Sequence, residues 1–208
     1  MWGEKSEKVI SAYQNIARVY LNESNYDKSL EYYHEALAIH LEVFAEKREQ
    51  VAEIYKDMAT AYNKKGDYDI ALEYYGKALA LSIEFWGERS EQVALAYRTM
   101  ATMCHNNAKY DEAIEYHYKA LAIYLELWGE KNEEVAVVYQ NIAFLYLAQG
   151  NYDKALDYYQ RVLAICLELW GEKDEYVASF YGNIAAIYLK KGNCAQALYY
   201  YQKALSIY

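Results

Sequence analysis

Asn132–Gly171 reads NEEVAVVYQNIAFLYLAQGNYDKALDYYQRVLAICLELWG, and it spells out two consecutive helices. Asn132 ahead of Glu133 and Glu134 is an N-cap followed by acidic first-turn residues, which suits the unpaired N–H groups of a helix start. Val135, Tyr139, Ile142, Ala143 and Tyr146 then recur at three- and four-residue intervals and so share one helix face. Gly150 stops that helix and Asn151 starts another. Ala155, Leu156, Tyr159, Val162, Leu163, Ile165 and Leu169 keep the same period. Trp170-Gly171 closes the second helix, glycine being suited to the left-handed position after a helix.

The same unit returns along the whole chain. Tyr13, Tyr55, Tyr97, Tyr139 and Tyr181 recur every 42 residues, with Ala17, Ala59, Ala101, Ala143 and Ala185 four places behind. Tyr32, Tyr74, Tyr116, Tyr158 and Tyr200 follow, then Leu37, Leu79, Leu121, Leu163 and Leu205. A fixed period of this size predicts a stacked array of supersecondary units. The expected fold is all-α: an α-solenoid of five antiparallel helix-turn-helix repeats at 7–48, 49–90, 91–132, 133–174 and 175–208, forming a single domain over 1–208. A solenoid offers a long surface rather than an enclosed pocket, which favours holding a partner over chemistry.

Short connections make neighbouring helices antiparallel. Small residues explain how closely they cross: Ala17 and its equivalents on the first helix, and Ala71, Ala113, Ala155 and Ala197 on the second. The chain has no proline, so glycines and polar caps carry every stop. Ser24 and Ala108 stand where Gly66, Gly150 and Gly192 turn the chain, and those two turns are expected to be less secure.

Composition narrows the function. Hydrophobic residues make up 55% of the 208, enough for a continuous core, and 27 residues are tyrosine. Tyrosine suits half-buried sites because its ring packs while its hydroxyl reaches water. Twenty-one Lys and Arg against thirty Asp and Glu leave a net charge of −9, which disfavours nucleic acid. Cys104, Cys166 and Cys194 fall at three different repeat positions with no pairing or metal spacing, so a reduced, intracellular setting is expected. Cys104 stands where other repeats carry tyrosine and reads as core filler. No apolar run is long enough for a membrane span, and no signal peptide opens the chain. The expectation is a soluble, cytoplasmic protein that needs no cofactor or metal.

Tyr55, Ala59, Tyr62, Gly66, Tyr68, Ala71, Tyr75 and Ala78 resemble the tetratricopeptide pattern of large, small, aromatic, glycine, aromatic, small, aromatic and small. The added length and the segment Leu127-Trp128-Gly129-Glu130-Lys131 resemble the 42-residue units of kinesin light chains and related arrays. One departure is consistent: the His-Pro usual after Gly-Glu-Lys in those units is Asn132-Glu133 here, and Ser90-Glu91 or Asp174-Glu175 elsewhere. The resemblance implies a right-handed superhelix whose first helices line a concave groove.

That geometry implies thirty groove-facing places, six per repeat at fixed offsets from the motif tyrosine. Arg18, Lys56, Lys64, Arg98 and Lys190 against Glu53 and Asp57 leave +3 there, so the remainder carries −12. A basic lining inside an acidic shell would steer an acidic peptide inward. Acids that merely keep a repeat protein soluble are the plainer alternative. Asn15, Asn141 and Asn183 share one position, where an amide can donate to and accept from a peptide backbone. Gln14 and Gln140 precede two of them, and Phe144 suggests an apolar anchor. A chaperone-tail carboxylate clamp finds only Gln14 and Arg18, or Lys56 and Thr60, and is a poor match.

Catalysis finds no support, since His34, His40, His105 and His117 fall at unlike places and no phosphate-binding glycine loop exists. The leading expectation is a non-enzymatic scaffold for an extended, acidic peptide. A self-assembling array joined end to end is the alternative, because neither end carries a polar cap and Tyr199, Tyr200, Tyr201 and Tyr208 lie near one of them. The bare ends also suggest a piece of a longer array. An engineered or consensus-type repeat without an evolved ligand is a third reading.

Overall fold

Asn25, Asn151 and Asn193 each accept a hydrogen bond from the backbone N–H three residues on, at 3.4, 3.2 and 3.2 Å, and a helix starts behind each. The protein is described by a computed structural model over residues 2–44 and 48–208. Among these residues there are ten helices and no strand. They are α1 (Trp2–Asn22), α2 (Tyr26–Val43), α3 (Arg48–Lys65), α4 (Tyr68–Trp86) and α5 (Glu91–Asn106). The rest are α6 (Tyr110–Trp128), α7 (Glu133–Ala148), α8 (Tyr152–Trp170), α9 (Glu175–Lys190) and α10 (Cys194–Leu205). The chain forms two compact units, one ending at Lys109 and the other beginning at Tyr110. Within each unit every helix packs on its neighbours in sequence.

The caps read from sequence are in place. Asn132 Oδ1 accepts from Glu134 N at 2.8 Å, and Gly150 (φ 74°) and Gly171 (φ 85°) end α7 and α8 in the left-handed region. The same dipeptide at Trp2-Gly3 does not act as a stop, because α1 begins at Trp2 and takes that glycine into the helix. A glycine of this kind ends a helix only where one precedes it.

Ser24 (φ 60°) and Ala108 (φ 56°) adopt the conformation of the glycines they replace. The same turn closes in all five repeats. Asn25 N donates to Tyr20 O at 2.8 Å and Lys109 N to Cys104 O at 2.9 Å, matching Asn151 N to Tyr146 O at 2.8 Å. The local cost of a Cβ there does not open the turn.

Small residues are buried where the crossings were expected: Ala17, Ala59, Ala101, Ala143 and Ala185 on the first helices, and Ser29, Ala71, Ala113, Ala155 and Ala197 on the second. In the first, second, fourth and fifth repeats a tyrosine of the second helix sits between two of the first. Tyr32 stacks on Tyr20 at 5.6 Å and contacts Tyr13 at 5.9 Å. Tyr74 does the same with Tyr62 and Tyr55, Tyr158 with Tyr146 and Tyr139, and Tyr200 with Tyr188 and Tyr181. Cations cap these clusters: Lys154 lies 4.7 Å over Tyr146, and Arg161 5.5 Å over Tyr158. In the third repeat the buried Cys104 takes one tyrosine's place.

Polar contacts link successive repeats at one recurring position. Asp27 pairs with Lys65 at 2.8 Å, Asp69 accepts from Asn107 at 3.4 Å and also pairs with Lys109 two residues on, and Asp111 accepts from Gln149 at 2.7 Å. Asp153 pairs with Lys191 in the same register.

Candidate peptide-binding face

The first helix of each repeat buries one side of its surface and leaves another open. In α7, Val135, Val138, Ile142 and Leu145 are buried, whereas Gln140 and Phe144 on the other side are exposed. All thirty places expected to face a groove are half-buried or exposed, and none belongs to the core.

In the unit ending at Lys109 the open face comes from α1, α3 and α5. Arg18 reaches Asp57 at 3.1 Å across adjacent first helices, and the buried Tyr33 lies against the pair. Asp57, then a hydrogen bond to it, raises the Arg18 pKa. Burial first, then the Asp57 charge, pushes Tyr33 up to about 12. Gln14 lines a shallow cleft of about 240 Å³ with Ser11, Gln50 and Glu53. Lys56 and Arg98 are half-buried, and Asn15 is exposed. Arg18, Lys56, Lys64 and Arg98 against Glu53 and Asp57 leave two positive charges on this face.

In the second unit α7 and α9 present a different surface. Asn141 and Asn183 are half-buried with no hydrogen-bond partner among the described residues, while Gln140 and Lys190 are exposed. Phe144 is 49% exposed and Leu189 53%, so this face is apolar and amide-rich with a single lysine.

Sequence reasoning gave Arg18 the role of attracting a ligand, and the structure commits its guanidinium to Asp57. The threonines of this face are committed as well. Thr60, Thr99 and Thr102 donate to the carbonyls of Lys56, Leu95 and Arg98 at 2.9, 3.0 and 3.1 Å, so each hydroxyl offers a ligand only acceptor capacity.

The cysteines are free thiols. Cys166 is buried, which together with Asp174 and Glu133 pushes its pKa to about 11. Among the described residues no group of His, Cys, Asp and Glu side chains is placed to hold a metal, and no helix is long and apolar enough to cross a membrane.

The tetratricopeptide repeat sequence profile matches residues 8–84, 92–168 and 134–208. The chain belongs to the tetratricopeptide repeat family. It is similar to the crystal structure of BtubC (BKLC) from P. vanneervenii, at 25% identity and TM-score 0.73, over 99% of this chain and 89% of that one. The putative kinesin light chain TPR-like repeats of Podosopora anserina superpose with TM-score 0.76 at 17% identity, over 95% and 94% of the two chains. Aspartyl phosphate phosphatase F from Bacillus subtilis reaches TM-score 0.77 at 17% identity, over all of this chain and 52% of that one. At such identities the last two establish the fold alone. No curated protein sequence matches the chain. Tetratricopeptide arrays are typically non-catalytic protein-interaction scaffolds, and membership of the family points this chain to that coarse role.

Proposed function

We propose that this tetratricopeptide protein holds extended peptide on the open face of its first helices, with an acidic stretch lying on α1, α3 and α5. The observation that carries this reading is the state of the cations. Lys56 and Lys64 have no acidic partner among the described residues, although acids outnumber bases in the chain. Elsewhere Lys65, Lys77, Lys109, Lys131 and Lys191 are each paired with a carboxylate. Lysines left unpaired on an exposed face are available to a partner's carboxylates.

On α7 and α9, Asn141 and Asn183 would hold a peptide backbone from both sides of its amide groups, and Phe144 would anchor an apolar side chain. These roles need no catalytic group and no cofactor.

The test is binding of fluorescein-labelled peptides of equal length that are acidic, neutral or basic, measured by anisotropy at two salt concentrations. The acidic peptide is expected to bind tightest, and more weakly at high salt. Lys56→Glu with Arg98→Glu is expected to weaken it about tenfold or more without changing helicity, since like charges then face the ligand. Equal binding of all three peptides, or unchanged affinity in that variant, overturns the acidic-peptide reading.

A further inference from the structure

One cleft on the unit ending at Lys109 has the opposite polarity to the cations around it. It is the space of about 240 Å³ between α1 and α3, lined by Glu7, Ile10, Ser11, Gln14, Gln50 and Glu53. Small-molecule pockets usually occupy about 300–1,000 Å³, so this one has room for a single side chain. Both walls are helices of the same unit, and the cleft does not depend on what adjoins the first or last repeat.

Its lining points to the group it would take. A carboxylate from each helix is joined by three neutral polar side chains, and no Lys or Arg lines the cleft among the described residues. Glu53 has no ion pair among those residues. One turn further along the same two helices stand Arg18 and Asp57, four residues from Gln14 and Glu53. There a guanidinium from α1 meets a carboxylate from α3 at 3.1 Å. At the cleft α3 repeats the carboxylate, but α1 offers Gln14 in place of a cation.

One wall is fixed from behind. His40 is fully buried with Nδ1 unpartnered, and its Nε2 lies 2.8 Å from Gln50 Oε1. With Nε2–H donating, the Gln50 oxygen is occupied and its NH2 group is left to meet a carbonyl. The buried Ile10 supplies an apolar base along which an alkyl stem can lie. These charges are local to one place in the array. Later repeats have Leu95, Val137 and Ser179 at the position of Glu53, and the next two have Lys56 and Arg98 at that of Gln14. A ligand carboxylate that suits Lys56 is repelled at Glu7 and Glu53, so neighbouring places on one face select opposite signs.

We propose that this cleft takes one Lys or Arg side chain of the bound peptide, its stem over Ile10 and its cation between Glu7 and Glu53. The inference deepens the reading above and rests on it for the acidic stretch at Lys56, Lys64 and Arg98. It adds that the ligand changes sign beside that stretch, which fixes the register in which it lies.

Two measurements separate this inference from the acidic-peptide reading. In the first, acetyl-lysine methylamide, blocked at its α-amine only, is titrated into isotope-labelled protein up to millimolar concentrations. The side-chain amide signals of Gln14 and Gln50 are followed by NMR and are expected to shift saturably. The uncharged norleucine analogue is expected to leave them in place, as is the lysine compound in the double variant Glu7→Gln with Glu53→Gln, whose helicity should match wild type. No shift with the lysine compound, or equal shifts with the norleucine analogue, overturns the cleft as a cation site whatever the peptides do. In the second, acidic peptides blocked at both ends carry one lysine at either end of the acidic run, or the same lysine acetylated on its ε-amine. By anisotropy the free lysine at one end is expected to tighten binding about fivefold, and the double variant to erase that difference while still binding the acidic run. No difference in the wild type, or one that persists in the double variant, overturns the sign change. Loss of binding by every acidic peptide with the amide shifts intact overturns the acidic-peptide reading and supports the cleft alone.

Discussion

Arg18 on α1 and Asp57 on α3 form an ion pair at 3.1 Å, directly on the face offered to a ligand. The pair is largely solvated, so it contributes at most about 1 kcal/mol to stability. Under the proposed function its larger effect would be on recognition, because it neutralises a cation that an acidic peptide would otherwise meet. Asp57→Asn frees Arg18 and removes one negative charge from the face. Stability is expected to fall by less than about 1 kcal/mol. Affinity for the acidic peptide is expected to rise several-fold at low salt, with the gain shrinking as salt screens it. Anisotropy titrations at two ionic strengths check this, and weaker binding by Asp57→Asn would assign the aspartate itself to the ligand.

The turns at Ser24 and Ala108 hold left-handed residues that carry a Cβ, at φ 60° and 56°. That conformation costs about 1–2 kcal/mol for an L-residue, while glycine loses about 0.4–1 kcal/mol more in unfolded-state entropy. Ser24→Gly and Ala108→Gly are therefore expected to stabilise the chain by about 0.5 kcal/mol each, and Gly150→Ala to destabilise it by a similar amount or more. Urea midpoints at constant slope measure all three.

Several tyrosines give the chain a one-sided pH dependence. Tyr118 donates or accepts across hydroxyl contacts of 3.1 Å to Tyr146 and 2.8 Å to Tyr158, and burial followed by these contacts raises its pKa. Burial also raises Tyr75 and Tyr159, and pushes Tyr33 to about 12. A folded-state pKa above the unfolded value means the folded chain holds its proton when the unfolded chain has lost it. Stability is then full below about pH 10 and falls as pH rises through the folded values, by up to about 1.4 kcal/mol per pH unit for each buried group and by less for Tyr118, whose partial exposure lets solvent screen it. Thermal midpoints are expected to be level from pH 7 to about 9 and to drop steeply above 10. Tyr118→Phe is expected to make that drop shallower; an unchanged slope would show that the hydroxyl cluster does not titrate with unfolding.

Much of this was legible because repetition turns one reading into five. Asn132, Gly150, Asn151 and Gly171 named their helix ends correctly, since caps and left-handed turns act locally. The alanine crossings followed from the period for the same reason. The commitment of Arg18 to Asp57 was not legible, because the two lie 39 residues apart and Thr99 stands one repeat beyond Asp57 where a carboxylate would be needed. Long cations on a helix surface choose partners by reach, and periodicity carries no information about reach.

Gly76 is the one helix-interior glycine of α4, on a half-buried stretch with nothing within 4 Å of an added Cβ. His34, Tyr118 and Gln160 hold the equivalent place in other repeats. His34 lies against Tyr74 at 6.3 Å, and Tyr118 bonds Tyr158 at 2.8 Å. Glycine gives α4 no such side chain and costs about 0.5–1 kcal/mol of helix propensity relative to alanine. Since the space is open and the backbone helical, Gly76→Ala is expected to recover that amount, raising the thermal midpoint by roughly 1–4 °C for a chain of this size. Gly182→Ala in α9 meets the same open space and is expected to act similarly. Because Gly182 also lies among the face positions, its variant carries a second readout: affinity for the acidic peptide should be unchanged if the ligand's charged stretch lies on α1, α3 and α5. A gain in stability at both positions with a loss of acidic-peptide binding only in Gly182→Ala would move that stretch onto α9.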